Sequence, residues 1–334
     1  MHEEIKSQLL DIQESFPNGI DYSFGYGSGV FPQVSSNPPL SNLKGNQEPM
    51  VDLIFAVSDP SVWHEENLRL HKDHYAFLPN VLGNKFICWI QEMGAGVYFN
   101  PMVKMNCRSM QSLLKYGVIS TSTLKSDLKE WDTLYIAGRM QKPTSIISAK
   151  DDEILEIQEK YNLRYALSAA LLLIPATEQK SDFKCPTSKI FESVTELSYI
   201  GDPRIKAGAE DPHKISKIVH SPGQFQRFQS MYTHEFSCLE SMGLLSVGNN
   251  GQHIEINFQD PSIRKELGSR LPSKFHNQKI KSNNFSVSSI RRSIGNIVSR
   301  PAQIQSAKGV LMAGVYKSIL YAGAKVAKGL LSRR

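Results

Sequence analysis

Apolar residues follow two different rhythms along the chain. Up to about residue 150 they alternate or gather in short aromatic and β-branched blocks, and after Asp151 they recur every three or four positions. Ile5, Leu9, Ile12 and Phe16 share one helical face, which predicts a helix over residues 3–16 that Pro17-Asn18-Gly19 ends. Tyr22 to Phe31 and Val51 to Val57 read as strands, separated by residues 32–50, a surface loop rich in Pro, Asn, Ser and Gly. Gly94 to Asn100 alternates like a strand ending at Pro101, and Lys115 to Ile119 reads as another. Leu124, Leu128, Trp131 and Tyr135 mark a helix, followed by a strand at residues 144–147. Beyond Asp151, Ile154, Ile157, Tyr161, Tyr165 and Leu172 mark a long helix closed by Pro175, and a second, starting near Thr187, carries Phe191, Val194 and Leu197. The expectation is an α+β protein: a first domain over residues 1–150 and a helical second domain over 151–270.

Residues 271–300 are polar and basic and read as a mobile linker. From residue 301 the pattern is helical again, with Ile304, Leu311, Val315, Ile319, Ala322, Val326 and Leu330 on one face. Lys317, Lys325 and Lys328 lie away from that face, although Lys308 falls on it. Such a helix suits an anionic lipid interface, where apolar burial and basic charge act together, the alternative being a helix docked on its own protein.

The chemistry concentrates at the first two strands. Tyr26-Gly27-Ser28-Gly29 follows a strand, and glycines there let backbone N–H groups approach a phosphate. Asp52 is a lone acid in an otherwise apolar strand, a costly position unless it binds something. A Gly-Ser turn facing an aspartate on the next strand is how nucleotidyltransferases hold a triphosphate with magnesium. The same stretch alone also suits a tight hairpin with Asp52 at its edge. His64, just behind the second strand, is a candidate phosphate contact, whereas His71 and His74 read as solvated or hydrogen-bonded side chains rather than metal ligands. Arg139 and Lys142 close a helix, where cations commonly serve its dipole, but they also precede a strand and are candidates to reach phosphates. Residues 199–214, which mix Asp202, Arg204, Glu210 and Lys214 with glycines, suit either solvated turns or a lid on a triphosphate.

Charge adds one refinement. The formal net charge of the 334 residues is +6, yet residues 271–334 carry twelve Lys or Arg and no acid, leaving 26 basic against 32 acidic residues before them. Basicity therefore belongs to the tail and points to an anionic partner there. Cys88, Cys107, Cys185 and Cys238 are widely spaced without a metal pattern, consistent with a reducing compartment. The first residues have neither a secretory core nor the character of a transit peptide, and no uncharged apolar run reaches the length of a membrane span.

Taken together, Phe24-Gly25-Tyr26-Gly27-Ser28-Gly29-Val30-Phe31, Val51-Asp52-Leu53-Ile54-Phe55, Gly94-Ala95-Gly96-Val97-Tyr98-Phe99-Asn100-Pro101, Lys115-Tyr116-Gly117-Val118, Ala137-Gly138-Arg139-Met140-Gln141-Lys142-Pro143 and Ser198-Tyr199-Ile200-Gly201-Asp202 resemble the mitochondrial phosphatidate cytidylyltransferase family. The resemblance implies a nucleotidyltransferase-fold domain with a mixed sheet and flanking helices, a helical winged-helix-like domain, and a membrane-binding C-terminal helix over residues 301–334. It implies CDP-diacylglycerol synthesis from CTP and phosphatidic acid with Mg2+, an early step towards cardiolipin, peripherally on the matrix side of the mitochondrial inner membrane. One departure stands out: the wider superfamily places two acids two residues apart on the strand, whereas Ile54 follows Asp52 at that spacing. Asp202 is the first choice for the second metal-binding carboxylate, with Asp59 or Glu210 in reserve. The expected catalytic set is Asp52, Asp202 and Lys115. The expected CTP-binding set is Gly27, Ser28, Gly29, His64, Tyr98, Asn100, Arg139, Lys142, Arg204 and Lys214. No nucleic acid is expected as a partner, the rival readings being a nucleotidyltransferase acting on RNA or a small metabolite and a non-enzymatic assembly factor.

Overall fold

The computed structural model describes residues 2–31, 50–106, 111–174, 184–206, 211–257, 260–277 and 285–331. Helix α1 (His2–Glu14) leads into β1 (Ile20–Tyr26), and β2 (Val51–Val57) pairs with it antiparallel. After α2 (Pro60–Leu70) and α3 (Phe77–Glu92) come β3 (Val97–Asn106) and β4 (Gln111–Ser120). Helices α4 (Thr121–Glu130) and α5 (Ala137–Met140) precede β5 (Ser145–Ala149). The five strands form one sheet in the order β3-β4-β2-β1-β5, mixed because β2 and β4 run parallel. Alternation along the strands sends successive side chains to opposite faces. Leu53, Phe55, Tyr116 and Val118 pack with Leu9 and Ile12 of α1 and with Phe16 just after it on one face. Phe24, Ile54 and Ala56 turn to the other, where the helices that follow cover them.

Those helices are α6 (Glu153–Ile157), a π-helical turn (Gln158–Leu163), α7 (Arg164–Leu173) and, after β6 (Lys184–Pro186), α8 (Thr187–Leu197). Next come α9 (Pro203–Lys206), α10 (Lys214–His220), α11 (Gln224–Ser241), β7 (Ser246–Val247) and β8 (His253–Glu255), and the three short strands form a second antiparallel sheet. The chain ends with α12 (Pro261–Ser269), α13 (Ser273–Asn277) and α14 (Val287–Leu331). One apolar core runs without a break from Ile54 and Tyr98 of the sheet to Phe191, Phe228 and Ile290 of the helices.

Three expectations need correction. First, β3 continues through Pro101 to Asn106. It is an edge strand, where the missing N–H is tolerated, and a register shift between Asn100 and Val103, with Met102 at φ 55°, absorbs the proline. Second, helix α3 went unanticipated because it breaks at Gly83, where φ is 75°: Phe77, Leu78, Val81 and Leu82 stand exposed before the break and Ile87 and Ile90 are buried after it, so no single 3.6-residue apolar period runs through it. Third, most of the linker expected at 271–300 is helical. Phe275 is buried on α13, and Ile290, Ile294, Ile297 and Val298 bury one face of α14 within a segment that is polar on average.

Lys308, the misfit on the apolar face of the C-terminal helix, is explained by docking. Its ammonium donates to the Ile90, Gln91 and Met93 carbonyls at 3.1, 3.1 and 2.7 Å, closing the C-terminus of α3 where a cation is favoured. Burial pushes its pKa down to about 7. Gln305 donates to the Val97 carbonyl at 3.2 Å, and Ala302 and Met312 are buried. The segment 302–312 thus packs on its own protein, and the apolar positions from Val315 to Leu330 fall outside the described side chains.

Candidate active site

The site is assembled where β1, β2 and β4 meet. Tyr26 pairs with Asp52, and Asp52 pairs with Lys115. Chain reversal after Tyr26 needs Gly27 at φ 79°, and Val30 and Phe31 donate backbone hydrogen bonds to its carbonyl. A Cβ on Gly29 would stand 2.3 Å from the Met50 carbonyl oxygen, so only glycine lets the turn lie against the entry to β2. Asp52 Oδ1 accepts a hydrogen bond from Lys115 Nζ at 3.0 Å. Asp52 Oδ2 lies 3.4 Å from the point a Cβ on Gly27 would occupy, so it faces the turn rather than the core. Gly27 and Ser28 are exposed, and Asp52 and Lys115 are half-buried.

A wall of cations on tyrosine rings completes the site. Asp127, buried at the end of α4, accepts hydrogen bonds from the backbone N–H groups of Thr133, Leu134, Ile136 and Ala137 and from the Thr133 hydroxyl. This single carboxylate fixes the loop in which Trp131 and Leu134 hold positive φ and from which Tyr135 and Arg139 project. The Arg139 guanidinium lies 4.1 Å from the Tyr135 ring centre and 5.4 Å from that of Tyr26, and it also donates to the Tyr135 carbonyl. Lys115 lies 4.7 Å from the Phe99 ring centre. On the far side, Lys142 and Lys214 flank the Tyr199 ring at 5.2 and 5.0 Å, and Lys142 Nζ donates to Ser198 Oγ at 2.9 Å.

Titration reflects the crowding. Burial, followed by repulsion from Arg139 and Lys214, holds the Lys142 pKa well below the usual lysine range. For Tyr135, burial would raise the phenol, but the charges of Arg139, Arg204 and Lys115 outweigh it and pull the pKa down. Positive charge is in excess here, and an anion would relieve it.

Several expected residues are placed elsewhere. Asp202 is buried with both carboxylate oxygens on Arg204, whose Nη2 donates to Oδ2 at 2.6 Å and whose Nε reaches Oδ1 at 3.0 Å. Asp202 therefore orients Arg204 in this arrangement. Asp59 caps α2, accepting from Ser61 and Val62 N–H, and Glu210 lies outside the described residues. His64, Tyr98 and Asn100 are fully buried. Tyr116 Oη accepts from Asn100 and Asn67 at 2.8 and 2.9 Å, and Asn67 also donates to Tyr75 Oη. Tyr116 points to the sheet face opposite Lys115, so this network does not line the cation wall. His64 Nδ1 and Nε2 sit 2.8 Å from Tyr75 Oη and Gln91 Oε1, which fits a neutral ring, and burial lowers its pKa to about 4. His71 and His74 stack at 4.5 Å, and no cluster of three metal-ligating side chains occurs among the described residues. Sequence reasoning passed over Asp127, Tyr26, Tyr135 and Tyr199 as site residues. The available signal for Asp127 was an acid between Leu124 and Leu128 on the buried face of a helix.

The family model "Phosphatidate cytidylyltransferase, mitochondrial" matches residues 9–328 of this chain. Proteins of that name are similar to it over nearly all of this chain. The one from Mus musculus is 33% identical, covering 96% of this chain and 94% of its own. That from Schizosaccharomyces pombe is 32% identical (99% and 86%), and that from Xenopus laevis 34% identical (98% and 96%). A crystal structure of a nucleotidyltransferase-like protein from Exiguobacterium sibiricum matches at 10% identity over 92% of this chain and 77% of its own, with a TM-score of 0.23, too low to bear on the argument. From residue 9 to residue 328, glycine turn, lone strand acid and cation wall included, the chain belongs to the mitochondrial phosphatidate cytidylyltransferase family.

Proposed function

We propose that this chain is an enzyme that transfers the cytidylyl group of CTP to phosphatidic acid, forming CDP-diacylglycerol and pyrophosphate. The observation that carries the reading is the pairing of one strand carboxylate, aimed at a glycine turn, with a group of cations in excess of the acids around them. That is what a triphosphate needs: donors for its oxygens, neutralisation for its charge, and one acid for a metal.

A phosphate oxygen of phosphatidic acid attacks the α-phosphorus of CTP in line, and the bond from that phosphorus to the bridging oxygen of pyrophosphate breaks. A monoester phosphate has a second pKa of about 6, so it is largely dianionic near neutrality and requires no strong base. Gly27, Ser28 and Gly29 cradle the triphosphate. Lys115 holds Asp52 in place and adds a positive charge beside the turn. Arg139, Lys142, Lys214 and Arg204 bind the two phosphate-bearing substrates and compensate the charge that grows on leaving pyrophosphate. The donor set fits Mg2+ in the manner usual for nucleotides, one protein carboxylate with the remaining ligands from phosphates and water, so Asp52 through Oδ2 is the residue that would hold it. When bound, that ion would neutralise the triphosphate and polarise the phosphoryl oxygens.

The relatives are named mitochondrial, and a mitochondrial location is proposed for this chain, peripherally on the matrix side of the inner membrane, with the basic end of α14 against anionic lipid. No described helix is long and apolar enough to cross a membrane. The experiment is incubation of purified protein with labelled CTP, Mg2+ and phosphatidate vesicles. Label should enter the lipid phase as CDP-diacylglycerol, and Asp52→Ala should reduce it to near background. Absence of lipid-borne label with the intact chain would refute the reading.

A further inference from the structure

Eleven large apolar side chains stand exposed among the described residues, and they are unevenly spread: five of them, Phe77, Leu78, Val81, Leu82 and Trp89, belong to α3, and two more to the adjoining α2. Between Phe77 and Trp89 the one charged residue is Lys85, which is exposed. A concentration of this kind is unusual on a free surface and marks a place that something covers. We infer that the outer face of α3 is a bilayer-contact surface, entering the headgroup and upper acyl region of an anionic membrane.

Three features select lipid as the occupant. Aromatic and aliphatic groups with a cation and no acid between Phe77 and Trp89 complement the apolar interior and phosphate rim of such a membrane, whose interface favours tryptophan. The segment cannot dive deeper than the interface, since it breaks at Gly83 and its second part buries Ile87 and Ile90 against its own protein. Finally, α3 is tied to α14 through Lys308 and its three carbonyl partners, and α14 continues to Leu331 through the Lys-rich segment that carries Lys317, Lys325 and Lys328. The two helices are thus joined at the C-terminus of α3, so that a membrane held by the basic tail and one entered by α3 would be reached from the same anchored pair. The choice of lipid rests on the phosphatidate reading above, because a substrate whose acyl chains stay in a bilayer requires the enzyme to come to it.

Trp89 gives a direct probe. Trp63 and Trp131 are buried, whereas Trp89 is 55% exposed, so any change in tryptophan emission on adding vesicles reports on α3. With the full chain and vesicles of phosphatidylcholine and phosphatidate, emission should shift to the blue and be quenched by brominated acyl chains, and Trp89→Phe should remove both changes. Phe77→Ser with Val81→Ser should cut vesicle flotation at least severalfold and lower turnover of vesicle-borne phosphatidate in proportion. Turnover of short-chain phosphatidate dispersed as monomers should be unchanged, and so should the melting temperature. If vesicles leave the emission unaltered, or the double variant floats and turns over vesicles as the wild type does, the inference is overturned. It is equally overturned if Val81→Asp converts a dimer to a monomer in the absence of lipid, which would make the occupant a second copy of this chain. Failure of the wild type on both forms of the substrate, with the blue shift intact, would instead count against the catalytic reading.

Discussion

Two polar clusters lie on opposite faces of the same sheet, back to back at Lys115 and Tyr116, and they differ in how their charge is balanced. Around Tyr116, neutral groups serve one another: Asn67 and Asn100 donate to hydroxyls, and a neutral His64 bridges Tyr75 and Gln91. Around Lys115 and Arg139, cations crowd together until a lysine is pushed below its ordinary pKa and a phenol with it. A set of neutral hydrogen bonds among buried groups supports the fold, even with the Asn67 and Asn100 carbonyl oxygens left over, whereas charge held in excess marks where a ligand belongs. Both clusters contain residue types that invite a catalytic reading, and only the balance of charge separates them.

The comparison breaks first at Asp52. Replacing it with Ala should lower kcat/KM by about 10³-fold, the scale of losing one preorganised electrostatic group, while the melting temperature stays near that of the wild type. The opposite face should show the reverse. His64 has a folded pKa near 4 against about 6.5 unfolded, so the unfolded chain binds more protons between those values and stability falls as pH drops from about 6.5 to 4. Roughly 3 kcal/mol is at stake in that window, and denaturant titrations across it should flatten in His64→Asn. Arg139→Lys keeps the charge but loses the planar stack on Tyr26 and Tyr135, and a tenfold to hundredfold rise in KM for CTP, about 1.5–3 kcal/mol, is expected. Tyr116→Phe removes the hydroxyl shared by Asn67, Asn100 and His74 and should cost about 1–3 kcal/mol of stability with kcat within about twofold.

Much of the cleft was legible because it is local. The glycine turn, the acid on the next strand and the run from Arg139 to Lys142 are contiguous motifs, and strand pairing brings the first two together in register. What the sequence hid was long-range. His64 looked available because it follows β2 closely, yet α2 turns it under the sheet. The polar average of residues 285–300 concealed five buried apolar side chains, and Lys308, an apparent blemish on an amphipathic face, is the cap of a helix more than two hundred residues earlier.

The most direct test of the central claim is calorimetric titration of CTP into the full chain with and without Mg2+, for the wild type and Asp52→Asn. An acid that receives the metal beside a cation wall makes binding of CTP strengthen when the ion is added, and the substitution should remove most of that gain while leaving metal-free binding as tight or tighter. If magnesium strengthens CTP binding equally in both proteins, Asp52 does not hold the metal and the account of the cleft fails.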